Sequence, residues 1–467
     1  MPPVDLAARG PERGDRMPPA PATIAALATP AGTAALAVLR ITGPDTQARL
    51  AAVFGRVPPA RRARHADYRG RDGALIDDVL VTYFAGPASF TGEDAAEISC
   101  HGNPFIAQRI LEDLLARGCR PAEPGEFTRR AFLNGRIDLS QAEAVMDLIH
   151  ARSERALAAA NHQLRGGLGR RMQGLVDRMV AVLAQIEAYI DFPDEDLPEE
   201  NQEAVRTEIG SILLENNRLL ATSHYGSLLR EGVKTVILGA PNAGKSSLLN
   251  RLVGRERALV SPEPGTTRDF IEESVLVGSH GLRLTDTAGF NPSPAPLEKL
   301  GMEKSLERAR EADLLIVVVD AATSTLPSFP PELQAQLIAA RTVMVLNKVD
   351  LNPMAEAPRL VAGAPVVRVS ALTGEGIEEL REALARQVDQ IGPEPEDLVT
   401  INARHALALE EARQSLAAAE AKLVTGDAAE LVASDLRAAL GAWGEISGRI
   451  DNERVLDSLF ARFCIGK

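Results

Sequence analysis

The stretch Lys234-Thr-Val-Ile-Leu-Gly-Ala-Pro-Asn-Ala-Gly-Lys-Ser246 limits what this chain can fold into more than any other. Apolar and β-branched residues run into Gly239-x-x-x-x-Gly244-Lys245-Ser246, and the apolar pair Leu248-Leu249 follows. A strand should enter this glycine-rich turn and a helix should leave it, the setting in which the pattern binds phosphates. The backbone of Asn242, Ala243, Gly244, Lys245, Ser246 and Ser247 can then curl round a phosphate chain. Lys245 reaches the β/γ oxygens, Ser246 supplies a Mg²⁺ ligand, and the helix dipole favours the anion.

Further elements follow in order. Leu282–Leu284 leads to Asp286-Thr287-Ala288-Gly289, where a strand-end carboxylate can serve Mg²⁺ through water and a glycine N–H can meet the γ-phosphate. Leu314–Val319 and Val343–Leu346 read as buried parallel strands, and the second delivers Asn347-Lys348-Val349-Asp350. Asp350 has two acceptor oxygens suited to guanine N1–H and its exocyclic amine, while Asn347 braces the loop. Val366–Val369 then brings Ser370-Ala371-Leu372 to the base O6. Gly265-Thr266-Thr267-Arg268-Asp269 lies where a loop senses the γ-phosphate, and Thr267 there can bind Mg²⁺ by its hydroxyl. The ordered set points to a guanine-nucleotide switch domain that binds GTP. Phe290 follows Gly289, so a phenyl ring stands where Ras-type enzymes carry a water-orienting Gln. Glu298 is the candidate water activator.

The rest of the chain bounds the partners. With 467 residues it is long enough for about three domains. Its net charge of −13 excludes a generally basic nucleic-acid binder, so RNA contact needs a local patch or a helper. Cys100, Cys119 and Cys464 have no metal spacing and cannot all pair, which suits a reducing cytoplasm. No apolar run approaches membrane-spanning length, so no membrane partner is expected. Residues 1–20 read as a disordered tail.

Strands are expected over 34–41, 78–84 and 95–101, with an amphipathic helix over 104–117 that uses Ile106, Ile110, Leu111, Leu114 and Leu115. From Ser140 the text turns Ala-rich and helical. Val176, Met179, Leu183, Ile186 and Ile190 form a 3-4-3-4 seam, and residues 199–230 read as another helix. Helical text resumes after Pro395, where Leu409, Ala412, Leu416, Ala419 and Leu423 repeat the spacing. This is the pattern of an α/β domain inserted into a helical bundle.

Pro241-Asn242, the Gly-Thr-Thr-Arg-Asp loop and Phe290 resemble the Era/TrmE-type GTPases. Ser89-Phe-Thr-Gly-Glu-Asp94, Glu97-Ile-Ser-Cys-His-Gly102, Pro124–Asn134, Asp138–Ala144, Ile190-Asp-Phe-Pro193 and the final Phe463-Cys-Ile-Gly-Lys467 narrow this to a resemblance to the MnmE (TrmE) tRNA modification GTPases, over about residues 21–467. The resemblance implies an α/β plus α fold. A tetrahydrofolate-binding and dimerisation domain would span 21–136, and a helical domain 137–230 and 393–467. A Ras-like P-loop GTPase domain with a mostly parallel sheet would be inserted at 231–392. It implies a homodimer acting on tRNA with the FAD-dependent partner MnmG, adding a (carboxymethyl)aminomethyl group at C5 of uridine 34. The methylene would come from 5,10-methylene- or 5-formyl-tetrahydrofolate, contacted by Arg40, Glu97, Arg136 and Lys467. K⁺ would replace an arginine finger, held by Asn242, Ser261, Glu263 and Thr266 when two G domains meet. Ser261 and Thr266 would also lie at the nucleotide. Glu298 matches the family's water-activating residue, and Cys464 is a residue the modification requires. One departure is Gly32-Thr-Ala-Ala35, where the family has Gly-Arg-Gly-Gly. A reading of another class is a ribosome or RNA assembly switch without modification chemistry. The Ala-rich helix after Pro395, with no Gly-x-x-Gly RNA clamp, speaks against it.

Overall fold

The computed structural model describes residues 22–191, 199–254, 272–287, 296–323, 329–356, 360–391, 399–448, 459–461 and 463–466, without the side chains of 199–202 and 296–300. Two compact units are present: Met1–Asp138 with Asp451–Lys467, and Leu139–Ile450.

The first unit is built on six strands: β1 Ile24–Leu27, β2 Leu36–Thr42, β3 Arg64–Arg69, β4 Leu75–Phe84, β5 Ala95–His101 and β6 Arg120–Pro121. Their order is β3-β4-β5-β2-β1-β6, antiparallel except for the β1–β6 pair. The three expected strands are β2, β4 and β5. β3 escapes a hydrophobicity reading because its sequence Arg-His-Ala-Asp-Tyr-Arg buries Tyr68 alone. The helix Pro104–Ala116 starts where Asn103 accepts the Phe105 N–H, with Pro104 in the first turn. It buries Ala107, Ile110 and Leu114 against the sheet, with Ile106, Leu111 and Leu115 partly covered.

In the second unit, helices Gly167–Asp191, Glu199–Ala221, Ala403–Thr425 and Ala429–Ser447 share one apolar core. Ala403–Thr425 buries Leu409, Ala412, Leu416 and Ala419 on the expected face. Gly167–Asp191 instead centres its face on Leu168, Met172, Leu175, Met179, Val182 and Ile186, leaving Val176, Leu183 and Ile190 at the margin. A helix of 3.6 residues per turn presents a stripe wider than a two-position seam, and here that stripe lies one residue round. The expected helix over 199–230 is two helices, Glu199–Ala221 and Ser223–Glu231. In the second, Gly226 lies against the Ile401 carbonyl, where a Cβ would come within 2.4 Å.

The inserted sheet has β7 Val233–Gly239, β8 Glu272–Val277, β9 His280–Asp286, β10 Leu314–Asp320, β11 Thr342–Asn347 and β12 Val366–Arg368. The order is β12-β11-β10-β7-β9-β8, parallel apart from the β8–β9 hairpin. β10 and β11 are buried almost throughout, as uninterrupted apolar runs require. The topology reverses at β7, so its carboxyl end opens a crevice for a ligand.

The terminal segment packs within the first unit. Residues Asp451–Lys467 cluster with the first unit, because Phe460 and Phe463 are buried there and Ile465 bridges Pro124.

One buried polar link holds the bundle in register. Asn216, fully buried, donates its amide to the Leu409 carbonyl at 3.0 Å and accepts the Trp443 indole N–H at 3.0 Å. Asn216→Ala leaves both partners unpaired, so unfolding free energy should fall by about 1–3 kcal/mol. Denaturant titration of the two proteins measures it, with the slope expected to stay unchanged.

Candidate guanine-nucleotide site

The phosphate loop joins β7 to the helix Lys245–Val253, and its bend needs unusual backbone. Gly244 caps that helix at φ 91°, and a Cβ on it would lie 2.2 Å from Asn347 Nδ2. Asn242 adopts φ 61° without being glycine, and Lys348 does the same at φ 63°. Left-handed non-glycine residues are uncommon and cluster at functional sites, where the surroundings over-determine them.

Lys245 is buried, and its Nζ donates to the carbonyls of Gly239 at 3.3 Å and Ala240 at 2.9 Å. Burial lowers its pKa, and the Asp286 carboxylate opposes that shift. Its ammonium thus waits on carbonyls of the loop it would serve. Ser246 Oγ donates to Asp286 Oδ2 at 2.5 Å, while the other Asp286 oxygen is buried with no hydrogen-bond partner. A hydroxyl beside a carboxylate that still lacks a partner is a hard-oxygen set suited to Mg²⁺, directly or through water. Ser246 and Asp286 would hold the ion, which supplies charge neutralisation between phosphate oxygens. Thr287 Oγ1 donates to the Ile237 carbonyl at 2.6 Å and ties this strand end to β7.

The base loop is welded to the phosphate loop. Asn347, buried at the end of β11, donates to the Ala243 carbonyl at 2.9 Å and accepts the Ala371 N–H at 3.0 Å. Lys348 Nζ reaches the Asn242 carbonyl at 2.8 Å. Asp350 is exposed, free to meet a base edge. Ser370 is buried and its hydroxyl accepts the Thr373 N–H at 3.1 Å, which shapes the turn that presents Ala371 and the exposed Leu372. Ser247 is exposed on the first helical turn.

The structure thus brings Asn242, Ala243, Gly244, Lys245, Ser246, Asp286, Thr287, Asn347, Lys348 and Ala371 into one polar cluster. Ser261, Glu263, Thr266, Thr267, Ala288, Gly289 and Lys467 lie outside the described residues, as does the side chain of Glu298, whose backbone belongs to the helix Pro296–Glu311. One residue was missed in the sequence. Asp320 takes the Lys348 ammonium at 2.7 Å. Its signal was a lone carboxylate closing the apolar run Leu314–Val319.

In the first unit, Arg40 and Glu97 are cross-strand partners on β2 and β5, with Arg40 Nε 2.8 Å from Glu97 Oε1. Arg136 is exposed in another loop, where its chain packs near Gly92. Gly32 lines a cleft of about 150 Å³ with Pro30, Asn103 and Gln108. The Gly125 N–H donates to the Cys464 carbonyl at 3.3 Å, while Cys464 itself is exposed. Gly466 follows at φ 94°, and a Cβ there would meet the Leu27 carbonyl at 2.5 Å.

A P-loop at the switch point of a parallel sheet, a strand-end Asp beside its Ser, and an Asn-Lys-x-Asp loop braced against it define a guanine-nucleotide-binding GTPase. A sequence profile described as "GTP-binding protein TrmE N-terminus" matches residues 23–136, and one described as "MnmE helical domain" matches 139–464. The chain is 60% identical to the tRNA modification GTPase MnmE of Opitutus terrae, over 97% of this chain and 100% of that protein. It is 45% identical to the tRNA modification GTPase MnmE of Akkermansia muciniphila, over 95% and 99%. Among solved structures, the G domain of the T. maritima FeoB iron transporter matches 33% of this chain and 98% of its own at 25% identity, with a TM-score of 0.25. The chain belongs to the MnmE family of tRNA modification GTPases.

Gly244→Ala should abolish nucleotide binding, because the methyl group would displace the Asn347 amide that joins the loops. Titration with a fluorescent GDP analogue checks this, with more than about a hundredfold loss expected where a buried brace and a left-handed bend fail together.

Proposed function

We propose that this GTPase drives modification of the wobble uridine of tRNA. Acting with the FAD-dependent MnmG, it adds a (carboxymethyl)aminomethyl group at C5 of uridine 34 with a one-carbon unit from tetrahydrofolate. The observation that carries the reading is the docking of the terminal segment on the N-terminal unit. Buried Phe463 and Gly466 flank an exposed Cys464, so the backbone is fixed while the thiol faces solvent. That arrangement suits a group that meets a substrate more than a packing residue.

Folate would bind the same unit through Arg40, Glu97, Arg136 and Lys467. A carboxylate can read the N–H edge of a pterin, and cations suit the glutamate tail. The Arg40–Glu97 ion pair supports this reading by holding one such carboxylate in place. The protein works in this reading as a cytoplasmic homodimer. Its acidic net charge favours sharing the tRNA contact with the partner enzyme.

Hydrolysis would be activated by K⁺ at Asn242, Ser261, Glu263 and Thr266 when two G domains meet, with Thr267 joining Ser246 on Mg²⁺ and Glu298 activating water. A cation in a dry site offsets charge on the β–γ bridge as a guanidinium would. GTP turnover should be about tenfold or more faster in K⁺ than in Na⁺ at equal ionic strength; equal rates would remove the ion from the mechanism.

The decisive experiment replaces the only cellular copy with Cys464→Ser and measures wobble-uridine modification by mass spectrometry beside GTP turnover. The expected result is loss of the modification with hydrolysis retained. Normal modification would favour a bare assembly switch in which the terminal segment is structural.

A further inference from the structure

Asp320 belongs to none of the sequence motifs, yet it sits where the two halves of the nucleotide site join. It is the last residue of β10 and pairs in register with Asn347 of β11. Its side chain is 14% exposed, and both of its oxygens accept hydrogen bonds. Oδ1 accepts the Ala322 N–H at 2.8 Å, and Oδ2 accepts the Lys348 ammonium at 2.7 Å. The same ammonium donates to the Asn242 carbonyl at 2.8 Å.

Asp320, Lys348 and Asn242 therefore form a chain from the end of one strand, through the base loop, to the phosphate loop. Both residues beyond Asp320 carry left-handed backbone, Asn242 at φ 61° and Lys348 at φ 63°. Such conformations persist only where neighbours hold them. Two consecutive carbonyls of the phosphate loop, Asn242 and Ala243, are taken by two consecutive side chains of the base loop, Lys348 and Asn347. With those carbonyls tied back, the N–H groups of the loop stay turned toward the phosphates. The Asn347 amide is hydrogen-bonded at both ends, but Lys348 has a flexible four-carbon stem that one neutral carbonyl holds poorly. A charge-assisted bond to a carboxylate is about twice as strong as a neutral one, and it fixes the ammonium.

We propose that Asp320 is a positioning residue for guanine-nucleotide binding, acting through Lys348 to hold the Asn242 bend of the phosphate loop. Its influence should reach base and phosphates together.

A double-mutant cycle on the full-length protein tests this, with GDP affinity as the readout and melting of the nucleotide-free protein measured alongside. Asp320→Ala should weaken GDP binding about tenfold in the otherwise unchanged chain, and less than about twofold when Lys348 is already Ala, because residues acting through one another are not additive. Equal losses in the two backgrounds would overturn the proposal, since they would mean that Asp320 only caps the turn at Ala322. Unchanged affinity in Asp320→Ala would also overturn it. If that variant folds poorly, Asp320→Asn decides. The amide keeps the shape and the acceptor for the Ala322 N–H but loses the charge that Lys348 needs. Weakened binding with an unchanged melting temperature supports the ion pair, and binding as tight as in the parent protein sinks it.

Discussion

The nucleotide site depends on the two hydrogen bonds of Asn347. One amide, buried at the end of β11, spans from the Ala243 carbonyl to the Ala371 N–H. Three loops that leave different strands, after β7, β11 and β12, thereby become one polar surface. The arrangement has little slack, since an unpaired buried amide group costs about 1–3 kcal/mol. Gly244 is the counterpart of that constraint: the space a side chain would fill there belongs to the Asn347 amide. The parallel strands supply the rigid frame, and their burial leaves function to the loops at their carboxyl ends.

Polar contacts also join this domain to the bundle that it interrupts. The chain leaves the helices through Ser223–Glu231 and returns near Ile401, and Arg230 donates to the Ile401 carbonyl at 3.0 Å. Exit and return are therefore neighbours, as an insertion requires if the host bundle is to close over it. A second contact lies at the β8–β9 hairpin and the helix Ile377–Asp389. There Asp389 takes Arg155 at 2.6 Å and His280 at 2.9 Å. The join is apolar as well, since Tyr225 and Leu228 of Ser223–Glu231 are buried in the core of the inserted domain.

What could be read in the sequence follows from how local each chemistry is. The phosphate loop, Asp286, Asn347 and Ser370-Ala371-Leu372 announce themselves because residue type, spacing and flanking strands are all adjacent in the chain. The bracing role of Asn347 was legible for the same reason, although its partners were not. Asp320 was not legible, because its meaning comes from a lysine 28 positions away. The seam of Gly167–Asp191 was found in period but placed one residue round, since a 3-4-3-4 pattern does not say which neighbour the stripe faces. The strands Arg64–Arg69 and Arg120–Pro121 carry too little apolar content to signal themselves and exist because the sheet pairs them.

The placement of the terminal segment was the least legible of all, for nothing near Phe463 in sequence says what it packs against. It also has a consequence for how the molecule is made. The N-terminal unit combines Met1–Asp138 with Asp451–Lys467, and about 300 residues of other structure lie between. At about 5–20 residues per second, the ribosome needs roughly 15–60 s to bridge that gap. The sheet of β1–β6 emerges long before the segment that carries Cys464, and meets it only after the entire nucleotide-binding domain has been synthesised. The thiol is thus delivered to its place as a late step of synthesis, when the domain that hydrolyses GTP has already had time to fold.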